Sequence, residues 1–222
     1  MAESAASVTD QTAAGEPSLD AYTSHARQYD ERTVAFQHYR RMIVDALPLS
    51  RGDLVIDVGC GTGLCLPMLV DKVGPRGRVV GIDASQDMAT QARDRVARAG
   101  WSNVDIMGVP ITQARIGAAA DAALFCAVHD ILQSDAALRA VMSQLRPGAS
   151  VAAGGGKWAS PWMLALNFQV RVLHAPYVCD FGGFDRPWSR LEHFLHGFQV
   201  HEFALGTGYV AIGRAGRARP CQ

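Results

Sequence analysis

The run Val55-Ile56-Asp57-Val58-Gly59-Cys60-Gly61-Thr62-Gly63 constrains this chain more than any other stretch. An apolar, β-branched segment ends in a G-x-G-x-G turn, and apolar positions resume at once with Leu64, Leu66, Leu69 and Val70. β-branched side chains suit a strand buried on both faces. Glycines let the backbone bend sharply and leave no side chain between the main chain and a ligand. A helix starting just after them aims free N–H groups and a partial positive charge at whatever lies over the turn. Strand, tight turn and helix make the first half of a βαβ unit. The dinucleotide fingerprint G-x-G-x-x-G is not met, because position 64 is Leu and the third glycine comes one residue early. This is a different turn, less suited to a pyrophosphate.

The alternation continues along the chain. A helix is expected over residues 64–73, stopped by Gly74-Pro75, before a second strand, Arg78-Val79-Val80-Gly81-Ile82-Asp83. Residues 85–99 read as a helix with Ser85 as N-cap and Gly100 as its stop. Strands are expected at 104–107, 122–128 and 150–153, with a helix over 134–145 closed by Arg146-Pro147-Gly148. Residues 199–205 and 209–213 read as two strands joined by Gly206-Thr207-Gly208. The expected fold is α/β, a Rossmann-like doubly wound sheet. It is mostly parallel, with an antiparallel hairpin at its C-terminal edge and helices on both faces. A ligand crevice belongs at the carboxyl ends of the strands, where strand order reverses.

Three segments are expected: a disordered tail over residues 1–20, a helical lid over 21–51, and the main domain over 52–222. Within that domain, residues 157–196 are rich in aromatics and are expected to cover the substrate. Lys+Arg and Asp+Glu are 21 each, which argues against a nucleic-acid partner. The five cysteines are irregularly spaced with no C-x-x-C pair, so neither a disulfide scaffold nor a metal site is expected. Residues 1–20 contain no Lys, Arg or apolar run, and no stretch reaches the ~18 apolar residues of a membrane span. A cytoplasmic protein without an integral membrane segment, monomer or homodimer, is the expectation.

Asp83 stands 20 residues beyond Gly63, at the end of the second strand, where a carboxylate can accept both hydroxyls of a ribose. Taken together, VIDVGCGTG, VVGIDAS and LRPGASV resemble the class I S-adenosylmethionine-dependent methyltransferases over about residues 52–155. The segment GPRGRVVGIDAS is similar to their quinone- and phospholipid-methylating branch. The resemblance implies S-adenosylmethionine as cofactor. It places Gly59 and Gly61 beside the methionine part, Asp57 toward its ammonium, Asp83 on the ribose, and Ala84 and Met88 along the adenine. The backbone near Phe125 and Cys126 would meet the ammonium, and Val109 would contact the adenine in place of the acid such families often carry there. Tyr29, with Tyr22 and Arg27 as weaker candidates, would close over the cofactor from the N-terminal helices.

No N-P-P-Y signature follows the fourth strand; the chain reads Cys126-Ala127-Val128-His129-Asp130. His129 would be the base that takes a hydroxyl proton, while Asp130 would orient it or cap the next helix. Trp158, Trp162, Tyr177, Phe181 and Trp188 would line a pocket for a small hydrophobic or aromatic substrate, or pack as core. Lys157 would meet an anionic group or solvent, and His174, His193, His196 and His201 read as surface or core residues. The first expectation is O-methylation of a small hydrophobic molecule. The alternatives are a membrane quinone or lipid C- or N-methyltransferase and a non-catalytic cofactor-binding partner protein.

Overall fold

A computed structural model describes Asp30 and residues 33–216. The described strands are β1 (Leu54–Val58), β2 (Arg78–Ile82), β3 (Val104–Met107), β4 (Ala120–Cys126), β5 (Leu145–Gly156), β6 (Leu195–Phe203) and β7 (Gly208–Ala215). They form a single sheet in the order β3-β2-β1-β4-β5-β7-β6. The first five strands pair in parallel, and β7 runs antiparallel to both β5 and β6. The expected doubly wound sheet with its C-terminal hairpin is therefore present. Strand order reverses between β1 and β4, which opens the crevice at their carboxyl ends.

The described helices are α1 (Gln37–Ala46), α2 (Leu66–Val73), α3 (Gln86–Ala99), α4 (His129–Leu132), α5 (Asp135–Met142) and α6 (Leu164–His174). Local chemistry sets their ends. The Ser85 hydroxyl accepts the Met88 N–H to start α3, and Gly100 ends it in the left-handed conformation. Ser134 caps α5 in the same way, so the capping role considered for Asp130 falls to Ser134. The helix expected over 134–145 stops at Met142 because Leu145 already pairs with Ala120 in β5. Arg146-Pro147-Gly148 lies inside that strand, at an irregularity in its register. β4 ends two residues before the expected 128, where Ala127 takes a φ of 58° that breaks the ladder.

Two apolar layers sandwich the sheet. Ile56, Val58, Val80, Ile82 and Phe125 face Leu132 and Leu138 on one side. Val55, Val79 and Leu124 face Leu66, Leu69, Ile43 and Val44 on the other. This is the period-two alternation of a strand buried on both faces. α1 packs on β5 closely enough that a Cβ on Gly154 would lie 2.5 Å from Ile43 Cγ1. A third, smaller cluster of Val170, Val178 and Phe184 belongs to the segment after β5.

Candidate active site

The glycine turn is held from below. The N–H groups of Gly59 and Cys60 both donate to the Ile82 carbonyl, at 2.8 and 3.1 Å. Gly59 has a φ of 66°, and a Cβ there would lie 2.5 Å from Val128 Cγ1. Gly61 has a φ of 55° and nothing within 4 Å of its missing Cβ. One glycine is required by packing as well as by conformation, the other by conformation alone.

Two carboxylates converge beneath this turn. Asp83 Oδ2 accepts the Gly61 N–H at 2.8 Å and Oδ1 accepts that of Ser85 at 2.9 Å. Burial raises its pKa, and these two bonds act against the rise. Asp57 is 1% exposed, and its Oδ2 has no hydrogen-bond partner. Burial first, and the Asp83 charge second, push its pKa up to about 7.

A cavity of about 380 Å³ opens over the turn, lined by Gly59, Gly61, Asp83, Ala84, Met88 and Cys126. Pro110 and Ile111 line it where Val109 was expected, so Val109 itself stands back from the wall. The side chains of Asp57 and Phe125 are buried behind the lining. Tyr22, Arg27 and Tyr29 lie outside the described residues. Asp30 is described: one oxygen accepts the Thr62 hydroxyl and the other pairs with Arg95, tying the chain ahead of α1 to the glycine turn.

A second cavity, of about 300 Å³, adjoins the first. Phe36 and Tyr39 of α1, Val170 and Leu173 of α6, Phe184 and Phe203 supply its apolar walls. Arg40, Ala127, Val128, His129 and Tyr177 line both cavities. His129, the first residue of α4, is 8% exposed, and its Nε2 lies 3.1 Å from the Gly182 carbonyl. A carbonyl only accepts, so Nε2 carries the proton and the neutral ring keeps its lone pair on Nδ1. Nδ1 is buried without a hydrogen-bond partner. Burial lowers the His129 pKa, against weaker raising effects from Asp130 and Gly182. His174 bonds the Val170 carbonyl through Nδ1 at 2.9 Å and also lines the second cavity.

Of the five aromatics expected to line the substrate pocket, only Tyr177 does so. Trp158 and Phe181 stack on each other at 5.1 Å and back Phe184 from behind. Trp162 is 79% exposed. Trp188 is buried in the main core against Tyr209, because the 3-10 turn Leu191–Phe194 anchors its segment there. Lys157 is neither solvated nor in the crevice; it is 7% exposed and pairs with Glu202 at 3.1 Å. The sequence reading missed Arg40, Phe36, Tyr39 and Phe203. They reach the site only through the packing of α1 and the hairpin on β5, which no local pattern encodes. Cys60 and Cys65 are buried, and Cys179 is exposed. Among the described residues no group of three His, Cys, Asp or Glu could hold a metal, and no helix is long and apolar enough to cross a membrane.

Residues 55–148 match the family described as "Methyltransferase domain". An uncharacterized 37.1 kDa protein in transposon TN4556 of Streptomyces fradiae is 37% identical over 181 residues, 80% of this chain and 49% of that protein. A 2-phytyl-1,4-naphtoquinone methyltransferase of Thermosynechococcus vestitus is 35% identical over 88 residues, 38% of this chain and 39% of that one. The chain thus spans half or less of the length of these curated relatives. A SAM-dependent methyltransferase from Aquifex aeolicus superposes with a TM-score of 0.59 at 18% identity, over 87% of this chain and 98% of that one, a likeness of fold. Motif, strand order and family match agree: residues 55–148 carry a methyltransferase domain on a Rossmann-like, mostly parallel sheet.

Proposed function

We propose that this chain transfers a methyl group from S-adenosylmethionine to a hydroxyl of a small, largely hydrophobic molecule. The observation that carries this reading is the apolar cavity of about 300 Å³ sharing five wall residues with the cavity over the glycine turn. When bound, the cofactor supplies an electrophilic methyl on a sulfonium. The chain's own residues fit it. The unpartnered, buried oxygen of Asp57 suits an ammonium, and Asp83 keeps lone pairs free for ribose hydroxyls. Gly59 and Gly61 let the methionine part approach the backbone, while Ala84, Met88 and Cys126 flank the remainder. Tyr29 stays part of this proposal as a closing residue ahead of α1.

The chain's contribution to the transfer is positioning and one proton. The acceptor is held in the apolar cavity, in line with the methyl. His129 stands in the shared wall and is held toward its neutral form by burial; its unpartnered Nδ1, covered in this conformation, takes the hydroxyl proton once the wall beside it yields to the acceptor. Phe184 holds the ring edge-on at 4.9 Å, and Trp158 and Phe181 back Phe184.

A second reading, methylation of a membrane quinone or lipid, is favoured by one observation. Trp162, Leu164, Phe168 and Val172 are 79%, 75%, 70% and 59% exposed on or just before α6, the helix that roofs the apolar cavity. The relative from Thermosynechococcus vestitus carries a quinone in its name.

The test is thermal unfolding with S-adenosylhomocysteine, with NAD as control. A ligand at a hundred times its Kd adds about 2.7 kcal/mol, enough to raise Tm by several degrees. A rise with S-adenosylhomocysteine alone is expected; no rise with it overturns the reading. Sedimentation with liposomes, lost on Phe168→Asp, would select the membrane reading.

A further inference from the structure

Arg40 lies in the middle of α1 and is 7% exposed. A guanidinium does not lose its charge inside a protein. Its Nη1 donates to the Thr33 carbonyl at 2.9 Å and to Gln37 Oε1 at 3.4 Å, both neutral acceptors. Among the described residues no ion pair includes Arg40, and neither Nε nor Nη2 makes a hydrogen bond.

The chain treats its other enclosed cations differently. Lys157 pairs with Glu202, and Arg95 with Asp30. Among the described residues, the groups around Arg40 offer no counter-charge. Asp57 and Asp83 of the adjoining cavity make no ion pair with it. A hydrogen bond with Cys126 first, and burial second, push the Cys65 thiol up, so no thiolate answers the charge. His129 and His174 are held toward their neutral forms by burial. A buried cation without a counter-ion is strongly unfavourable. This one is kept at the wall common to both cavities.

We propose that Arg40 is an anion-binding residue at the junction of the two cavities and takes a carboxylate. The two bonds of Nη1 fix the guanidinium plane and leave Nε and Nη2 as a fork for two carboxylate oxygens. Two molecules can bring that carboxylate: the methionine end of the cofactor, or an acidic substrate in the apolar cavity. The inference rests on the assignment of these cavities above, and its test separates the two.

Binding is measured by calorimetry on wild type, Arg40→Met and Arg40→Lys, with S-adenosylhomocysteine, 5′-methylthioadenosine, 2-naphthoate and 2-naphthamide as probes. If the cofactor supplies the carboxylate, Arg40→Met weakens S-adenosylhomocysteine at least tenfold. It then leaves 5′-methylthioadenosine, which has no carboxylate, within about twofold. If the substrate supplies it, S-adenosylhomocysteine is unchanged and 2-naphthoate binding is lost while 2-naphthamide binding is kept. Arg40→Lys retains the charge without the fork and is expected to fall between wild type and Arg40→Met. Should Arg40→Met not fold, Arg40→Lys is read against the same pairs. Unchanged affinity for both carboxylates in the variants overturns the proposal. Failure of S-adenosylhomocysteine to bind wild type defeats the cofactor assignment alone, since 2-naphthoate still reads Arg40. Wild type that binds neither carboxylate overturns the anion site as well.

Discussion

Asp83 Oδ2 accepts the N–H of Gly61 at 2.8 Å across the turn that follows β1. Its other oxygen accepts the Ser85 N–H at 2.9 Å, so one carboxylate braces both the glycine turn and the start of α3. Binding and stability are therefore coupled at this residue. Asp83→Asn keeps one acceptor of two, and one backbone N–H loses its partner. A lost bond of this kind costs about 1–3 kcal/mol. Calorimetry should show Tm lowered by several degrees and S-adenosylhomocysteine weakened by at least tenfold. Unchanged affinity would remove Asp83 from the cofactor site.

Asp57 has the opposite character. Its folded pKa of about 7 lies far above the ordinary 3.8, with burial the main cause and Asp83 the second. Between these values the folded state binds more protons than the unfolded one, so its contribution to stability is lost as pH rises from about 4 to 7. The ligand-free protein is thus destabilised at pH 8 by an ionised group that has no partner on Oδ2. Asp57→Asn should raise Tm at pH 8, flatten the Tm profile from pH 5 to 8, and weaken S-adenosylhomocysteine. The same protonation makes wild-type affinity fall below pH 7, because an ammonium needs the carboxylate. An Asp57→Asn protein less stable than wild type at pH 8 would contradict this account.

The sheet was readable because parallel strands advertise themselves. The β-branched runs at Val55 and Val79, the Ser85 cap and the Gly100 stop are local features with local causes. The glycine turn and Asp83 were equally local. The substrate side was not. Trp162 and Trp188 read alike in sequence, yet one is exposed and the other packs on Tyr209, and only tertiary packing separates them. Arg40 carries no such local signal, because an arginine in an amphipathic helix ordinarily faces water. Its burial follows from α1 lying on β5 and β7, a contact that joins distant parts of the chain.

Gly59 and Gly61 should respond differently to alanine. Both have positive φ, which costs a non-glycine residue about 1 kcal/mol or more. At Gly59 the new methyl would also meet Val128 Cγ1 at 2.5 Å and Ile131 Cδ1 at 2.9 Å, the two residues flanking His129 and Asp130. Overpacking of this kind adds about 1–3 kcal/mol. Gly59→Ala should therefore lower Tm well beyond Gly61→Ala. Gly61→Ala, with open space at its Cβ, should act mainly on cofactor affinity. Equal melting temperatures for the two variants would show that the wall behind Gly59 yields freely.

His129 has a structural bond and a proposed chemical role, and one substitution separates them. Its Nε2 donates to the Gly182 carbonyl, while Nδ1 is the nitrogen proposed to take the proton. Glutamine offers an Nε2 donor at a similar reach but no base. His129→Gln should keep S-adenosylhomocysteine affinity and Tm near wild type. Its turnover on an acceptor found by screening should fall by 10²–10⁴, the usual worth of general base catalysis. Burial lowers the His129 pKa, so with cofactor saturating at every pH, which removes the effect of Asp57 on affinity, the wild-type turnover should fall only on the acid side of 6.5, as the ring gains a proton. In His129→Gln that acid limb should vanish. A loss of turnover under tenfold, with the acid limb retained, would leave His129 only its bond to Gly182 and assign the proton to another group in the shared wall.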